Sequence, residues 1–131
     1  MRDLLLDTHV WLWIQAAPER VSPSTRAIID DDDSRVHLSH VSAWEIAIKY
    51  SVGKLPLSEP PSVYIRNRLQ DEPLELVPIT LDHVLAVSEL AHHHGDPFDR
   101  LLIAQAQALN LELVTADSAF APYGIALIPA R

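Results

Sequence analysis

Five short apolar segments alternate with amphipathic ones along this chain, and that alternation is the feature that most restricts its fold. The apolar segments are 4–6, 36–39, 74–79, 111–115 and 125–128. Each is apolar enough to be covered by helices on both faces, which is typical of strands in a parallel sheet. The length of 131 residues, with no internal repeat, predicts a single domain spanning 1–131. We therefore expect a three-layer α/β/α fold around a mainly parallel five-stranded sheet.

Helices are predicted in the gaps from their N-terminal signals, a capping side chain or a proline in the first turn. The predicted helices cover 8–17, 22–29, 42–50 and 61–69, and two more begin after Thr80 and Asp96.

Two prolines indicate the strand order. Pro78 lies in the third strand and Pro129 ends the fifth, and proline cannot donate to a central ladder, so both strands belong at sheet edges. Right-handed crossovers then predict the order 3-2-1-4-5. The chain reverses direction between strands one and four, which is where open parallel sheets bind ligands.

Two carboxylates follow the central strands at that reversal. Asp7 comes directly after the first strand, and Asp117 comes two residues after Thr115, at the end of the fourth. Either alone could simply form a turn. Together in one crevice they would repel each other, so we expect a divalent cation to bind there and offset the repulsion.

Three further acids have both a structural and a functional interpretation. Ser42 and Glu45 fit a capping box, which would give Glu45 a purely structural role, or Glu45 could reach the same metal. Asp96 before Pro97 fits an N-cap, with Asp99 in the first turn of the same helix. We expect Asp96 to be mainly the cap.

Composition excludes several other classes of site. The chain has no cysteine, so a metal must be held by oxygen or imidazole. A net charge of −8, from 18 acidic and 10 basic residues, argues against a passive basic surface for nucleic acid. No phosphate-binding glycine loop or nucleophile elbow occurs. We place the His92–His94 run at a helix end, where it suits the helix dipole better than a metal.

Four linked motifs, in order, carry a family resemblance. They are LLLDTH at 4–9, SAWEIAIK at 42–49 with GKL at 53–55, DPFDRLLIAQ at 96–105, and LVTAD at 113–117. The chain resembles PIN-domain ribonucleases, and especially the VapC-like toxins of type II toxin–antitoxin modules.

The resemblance implies an endoribonuclease that depends on Mg²⁺ or Mn²⁺, with a carboxylate cluster formed by Asp7, Glu45, Asp99 and Asp117. The third acid is assigned to Asp99 by counting back from the LVTAD motif, and Asp96 is an auxiliary candidate. In such a site water attacks the phosphodiester while the metal offsets the charge that develops.

The resemblance also implies an antitoxin partner, and we expect a homodimer. Single-stranded or looped RNA is the expected substrate, because its backbone can bend into a crevice. Its phosphates would need a local basic rim, for which the candidates are Lys49, Lys54, Arg66, Arg68 and Arg100. With no apolar run long enough for a membrane span or a secretory signal, we expect a cytoplasmic protein.

Two alternatives stay open from the sequence. A phospho-receiver signalling module also uses an acidic pocket and Mg²⁺ in a doubly wound sheet, although the chain lacks an acceptor Asp after its third strand. A catalytically silent PIN-like binding module would share every motif.

The first helix predicts a contact surface. Trp11 and Trp13 are two residues apart, which places them roughly 200° apart around a helix, so one packed face cannot take both. We expect one indole to face a partner, either a second copy of the chain or an antitoxin segment.

Overall fold

The computed structural model describes residues 1–131, and its centre is one sheet of five strands. The strands are β1 (Arg2–Leu6), β2 (Ser34–Ser39), β3 (Glu75–Val77), β4 (Glu112–Thr115) and β5 (Leu127–Pro129). All neighbouring strands pair in parallel, in the order β3-β2-β1-β4-β5. The predicted order is therefore confirmed, with both proline-bearing segments at the edges.

All five strands differ from their predicted bounds by one or two residues, and two of these differences have a local cause. β3 ends at Val77, because Pro78 has no N–H to continue the ladder. β5 begins at Leu127 rather than 125. A 3₁₀ helix over Ser118–Tyr123 and a left-handed Gly124 (φ 70°) occupy the connection before it.

Six α-helices surround the sheet. They are α1 (Thr8–Ala16), α2 (Pro23–Asp30), α3 (His40–Ser51), α4 (Pro61–Asp71), α5 (Leu81–Ala86) and α6 (Pro97–Leu109). None of them combines the length and apolarity that a membrane crossing requires.

The sheet separates two hydrophobic cores, and β1 contributes to both because successive strand side chains point to opposite faces. Leu4 and Leu6 pack with Trp11 of α1 on one face. Leu5 packs with Leu102 of α6 on the other. β1 ends at Leu6 because the next residue, Asp7, is the N-cap of α1, and Asp7 therefore lies at the carboxyl edge of the sheet.

Candidate metal centre

One threonine connects the two acids that follow the central strands. The carboxylate of Asp7 accepts a hydrogen bond from the backbone N–H of Thr8 through Oδ1 and one from the hydroxyl of Thr115 through Oδ2, both at 2.8 Å. The Thr115 hydroxyl oxygen in turn accepts from the backbone N–H of Asp117 at 3.0 Å. β1 and β4 are neighbours, so the predicted juxtaposition of Asp7 and Asp117 occurs, with Thr115 holding both.

The capping-box interpretation of Glu45 is wrong. β2 runs into α3 without a loop, and α3 begins at His40 with Ser39 as its N-cap; the Ser39 hydroxyl accepts from the backbone N–H two residues further on at 3.0 Å. Ser42 lies inside the helix, where its hydroxyl accepts from Thr8 Oγ1 at 2.8 Å. Glu45 is therefore in the second turn and does not reach back to cap the helix.

Glu45 instead carries an unsatisfied buried oxygen. Its side chain is only 3% exposed, and Oε2 accepts a hydrogen bond from the ammonium of Lys49 one turn later. Oε1 is buried with no hydrogen-bond partner. An unpaired buried acceptor costs about 1–3 kcal/mol, so this oxygen is suited to a ligand such as a cation.

The start of α6 supplies two more acids, and only one of them caps. Asp96 is the N-cap, and its Oδ1 accepts from the backbone N–H of Asp99 at 3.0 Å, which confirms the predicted cap. The Asp99 side chain is 16% exposed and lies beside His94 and Asp117. One carboxylate therefore serves the helix, and the other faces the acids at the strand ends.

The neighbouring acids change the ionisation of Asp99. Burial raises the pKa of Asp99 to about 8, and the negative charges of Asp7, Asp96, Glu45 and Asp117 add to that rise. Burial also raises the pKa of Asp7, against the opposing hydrogen bond from Thr115. The charges of four other acids therefore act on the carboxyl group of Asp99.

The donor set fits a hard divalent cation. Ligand atoms of Asp99 and Asp117 lie within 4.8 Å of each other, and the charges of Asp7 and Glu45 act on Asp99; carboxylate oxygens are the ligands that Mg²⁺ and Mn²⁺ prefer. The buried Oε1 of Glu45 has no hydrogen-bond partner, and burial together with neighbouring negative charges raises the pKa of Asp99; a bound cation would relieve both. Asp7, Glu45, Asp99 and Asp117 are the residues that could hold such an ion.

A histidine that the sequence interpretation discounted lies in this site. His92–His94 do not sit at a helix end, since α5 stops at Ala86 and a 3₁₀ turn carries the chain only to Glu89. The Nε2 atom of His94 lies 2.9 Å from Asp99 Oδ2 and 3.5 Å from Asp117 Oδ2. Its position two residues before the cap at Asp96 was the signal that could have identified it.

The structure removes Arg100 from the predicted basic rim. Arg100 is buried, and its guanidinium donates to the backbone carbonyls of Val87, Leu90, Ala91 and His94 at 2.9–3.3 Å. It therefore supports the segment before α6 and is not free to bind phosphate.

The other cations are placed differently. Lys49 pairs with Glu45 at the site. The guanidinium of Arg68 lies over the Tyr64 ring, 4.5 Å from its centroid. Lys54 and Arg66 are exposed.

The cap makes a separate, testable prediction. Replacing Asp96 by Ala should lower the free energy of unfolding by about 1 kcal/mol, because the Asp99 N–H loses its acceptor. Asp96→Asn should largely restore stability, since Asn also caps, and activity should follow that rescue. Chemical denaturation and an activity assay check this; a folded but inactive Asp96→Asn would make Asp96 a site acid.

Comparison with known proteins identifies the family of the chain. A family profile described as PIN domain matches residues 4–125. The chain is 30% identical to Ribonuclease VapC22 of Mycobacterium tuberculosis over 118 residues, which are 89% of this chain and 88% of that protein. It is 44% identical to Ribonuclease VapC16 of the same organism over 59 residues, which are 45% of this chain and only 40% of that protein.

A solved structure shares the fold. The chain is similar to one in the crystal structure of VapBC2 from Rickettsia felis bound to a DNA fragment from their promoter, with a TM-score of 0.74 and 19% identity. The match covers 98% of this chain and 99% of that one.

Proposed function

This chain belongs to the PIN-domain family, and we propose that it is a divalent-metal-dependent endoribonuclease, the toxin of a toxin–antitoxin pair. One observation carries the proposal. The buried Oε1 of Glu45 has no partner in a crevice where burial and four neighbouring acids raise the pKa of Asp99 to about 8. A fold does not hold such a cluster for its own stability, because like charges repel.

Asp7, Glu45, Asp99 and Asp117 would hold Mg²⁺ or Mn²⁺. When bound, the cation supplies the positive charge that the phosphodiester and the attacking water require. The chain's own residues orient the ligands. Thr115 and the Thr8 backbone each fix one oxygen of Asp7, and Lys49 fixes one oxygen of Glu45 while the other has no hydrogen-bond partner.

We propose that the substrate is single-stranded or looped RNA in the cytoplasm. The site lies at the carboxyl edge of the sheet, between α3 and α6, where a flexible backbone can enter and a duplex cannot. The match to VapC22 over 89% of the chain supports ribonuclease activity. Lys49, one-third exposed beside Glu45, is the nearest cation for a substrate phosphate.

The two alternatives fare differently. A phospho-receiver sheet has the order 2-1-3-4-5, whereas this sheet has the order 3-2-1-4-5, so that hypothesis is wrong. A silent PIN-like module would not need all four acids, and all four are present here.

Metal-dependent cleavage tests the proposal directly. Assorted RNAs incubated with the protein and Mg²⁺ or Mn²⁺ should be cut, and a chelator should stop the reaction. Asp7→Asn, which keeps the shape but removes a ligand charge, is the control against a contaminating nuclease. Cleavage that persists in the chelator or in Asp7→Asn would refute the proposal.

We propose that α1 contacts the partner. Trp11 is buried, whereas Trp13 is only partly covered, with the guanidinium of Arg131 4.6 Å from its ring centroid. Trp13 and Leu12 line a groove of about 410 Å³ that also includes Leu57. The resemblance to toxins of toxin–antitoxin modules favours a segment of the cognate antitoxin as the occupant, and a second copy of this chain is the alternative.

Trp13→Ala should weaken antitoxin binding by at least about 10-fold, because partly buried tryptophans are frequent interface hot spots. Isothermal titration calorimetry measures this, with Leu109→Ala, an exposed apolar residue at the end of α6, as the matched control. If Trp13→Ala instead converts a dimer to a monomer in light scattering, the occupant is a second copy. No effect on either measurement would exclude α1 as a contact surface.

A further inference from the structure

His94 is held in place from three sides. Its backbone N–H donates to the Tyr123 hydroxyl at 2.8 Å, and its carbonyl accepts from the Arg100 guanidinium at 3.2 Å. Its ring packs against Phe120, with the ring centroids 5.6 Å apart. These three contacts fix both the backbone of the segment that carries His94 and the direction of the His94 ring.

A backbone contact determines which ring nitrogen carries the proton. The backbone N–H of Asp96 points at His94 Nδ1 with a distance of 3.1 Å. A backbone N–H can only donate, so Nδ1 is the unprotonated nitrogen, and in the neutral ring Nε2 bears the hydrogen. The imidazole thus directs a proton, not a lone pair, into the acid cluster.

That proton lies between two of the acids. Nε2 is buried, 2.9 Å from Asp99 Oδ2 and 3.5 Å from Asp117 Oδ2, without the alignment of a full hydrogen bond to either. Asp99 comes from α6 and Asp117 from the end of β4. His94 is the group that connects these two elements at the crevice, as Thr115 connects Asp7 with Asp117.

A metal-ligating histidine normally has the opposite arrangement. Its second ring nitrogen donates an N–H to a carboxylate or carbonyl, which leaves a lone pair for the metal. In His94 the second nitrogen accepts. So although the ligand atoms of His94, Asp99 and Asp117 lie within 4.8 Å of one another, the ring nitrogen that faces the acids bears a hydrogen and offers no lone pair for coordination.

We propose that His94 is a positioning residue of the metal centre: its Nε2–H orients the carboxylates of Asp99 and Asp117, and His94 is not itself a ligand. This inference rests on the proposed function, since it assumes that the acids bind a divalent cation. Outer-shell groups of this kind typically contribute 10–100-fold to metal affinity.

Manganese binding tests the role without relying on cleavage. Electron paramagnetic resonance of the full chain titrated with Mn²⁺ gives the affinity, and its electron spin-echo modulation reports whether nitrogen is coordinated. We expect no coordinated nitrogen in the wild type and an affinity reduced by about 10–100-fold in His94→Ala. His94→Gln, which keeps a terminal N–H, should recover part of the loss.

The neighbouring His92 provides the matched control, because it is exposed. His92→Ala should leave Mn²⁺ affinity unchanged, and circular dichroism verifies that each variant is folded. A nitrogen coupling that disappears in His94→Ala, or in His94→Gln if the alanine variant does not fold, would overturn the proposal by making His94 a ligand. Unchanged affinity in the folded variants would overturn it by making His94 merely structural.

The same titration separates this proposal from the proposed function. Wild-type protein that binds neither Mn²⁺ nor Mg²⁺ would refute the metal-dependent nuclease and the role of His94 together. Wild-type protein that binds Mn²⁺ through nitrogen would refute only the role of His94.

Discussion

Asp99→Asn is expected to reduce RNA cleavage by at least about 100-fold while leaving the protein folded. The amide keeps the shape of the carboxylate but removes the charge that the metal requires. The negative charges of Asp7, Asp96, Glu45 and Asp117 all act on Asp99, so removal of its charge also relieves repulsion. The melting temperature in chelator should therefore stay the same or rise.

Glu45→Gln should cause a loss of similar size for a different reason. Its buried Oε1 has no other partner, so no protein group takes over when its charge is removed. Initial rates of cleavage at saturating Mg²⁺ measure both variants. Asp71→Asn, an exposed acid in the last turn of α4, is the matched control and should cleave normally. Full activity of Asp99→Asn would show that Asp99 is not the third site acid.

Metal-free protein is expected to lose stability as the pH rises from about 4 to about 8. In that window Asp99 keeps its proton in the folded state, where its pKa is about 8, and loses it in the unfolded state, where the pKa is near 3.8. The folded state binds more protons, so raising the pH favours unfolding, by at most about 1.4 kcal/mol per pH unit for this group. Below the pKa of Asp99 in the unfolded state this loss of stability vanishes, and above pH 8 it stays constant.

The comparison of wild type with Asp99→Asn isolates this effect. Other groups titrate in both proteins, including Glu112, whose pKa the hydrogen bond from Arg2 lowers, and the difference cancels them. Urea denaturation in chelator at several pH values gives the free energy of unfolding of each protein. The variant should become increasingly more stable than the wild type as the pH rises. Mg²⁺ at 100 times its dissociation constant should restore about 2.7 kcal/mol to the wild type. A difference in the free energy of unfolding that does not depend on pH would mean that Asp99 is not buried among charged acids.

Local signals account for what could be predicted. Pro78 and Pro129 identify edge strands because a missing N–H is a property of the residue itself, and the strand order follows from them. Asp96 followed by Pro97 marks the start of α6 for the same kind of reason. Trp11 is fully buried and Trp13 is only partly buried at the edge of the same core, because helix geometry separates their directions.

Boundaries with competing local signals were predicted less well. Ser39 and Ser42 both offer a hydroxyl at the start of α3, and only the first becomes the cap. The choice is made by tertiary contacts, since Ser39 also hydrogen-bonds Gln105 of α6, and Ser42 is engaged by Thr8 of α1. No pattern within the 42–50 segment contains that information.

By itself, then, the sequence determined the sheet order and the positions of Asp7 and Asp117 at the ends of adjacent strands. It also determined that Asp96 caps α6, so that the Asp99 carboxylate is not used as the cap. Only the tertiary structure decided that Glu45 keeps a buried oxygen without a hydrogen-bond partner, that Arg100 supports a loop, and that His94 Nε2 lies beside Asp99 and Asp117. The difference is physical. A cap or a proline acts on its own few residues, whereas the direction of a buried polar side chain depends on groups distant in the chain that satisfy it or leave it unpaired.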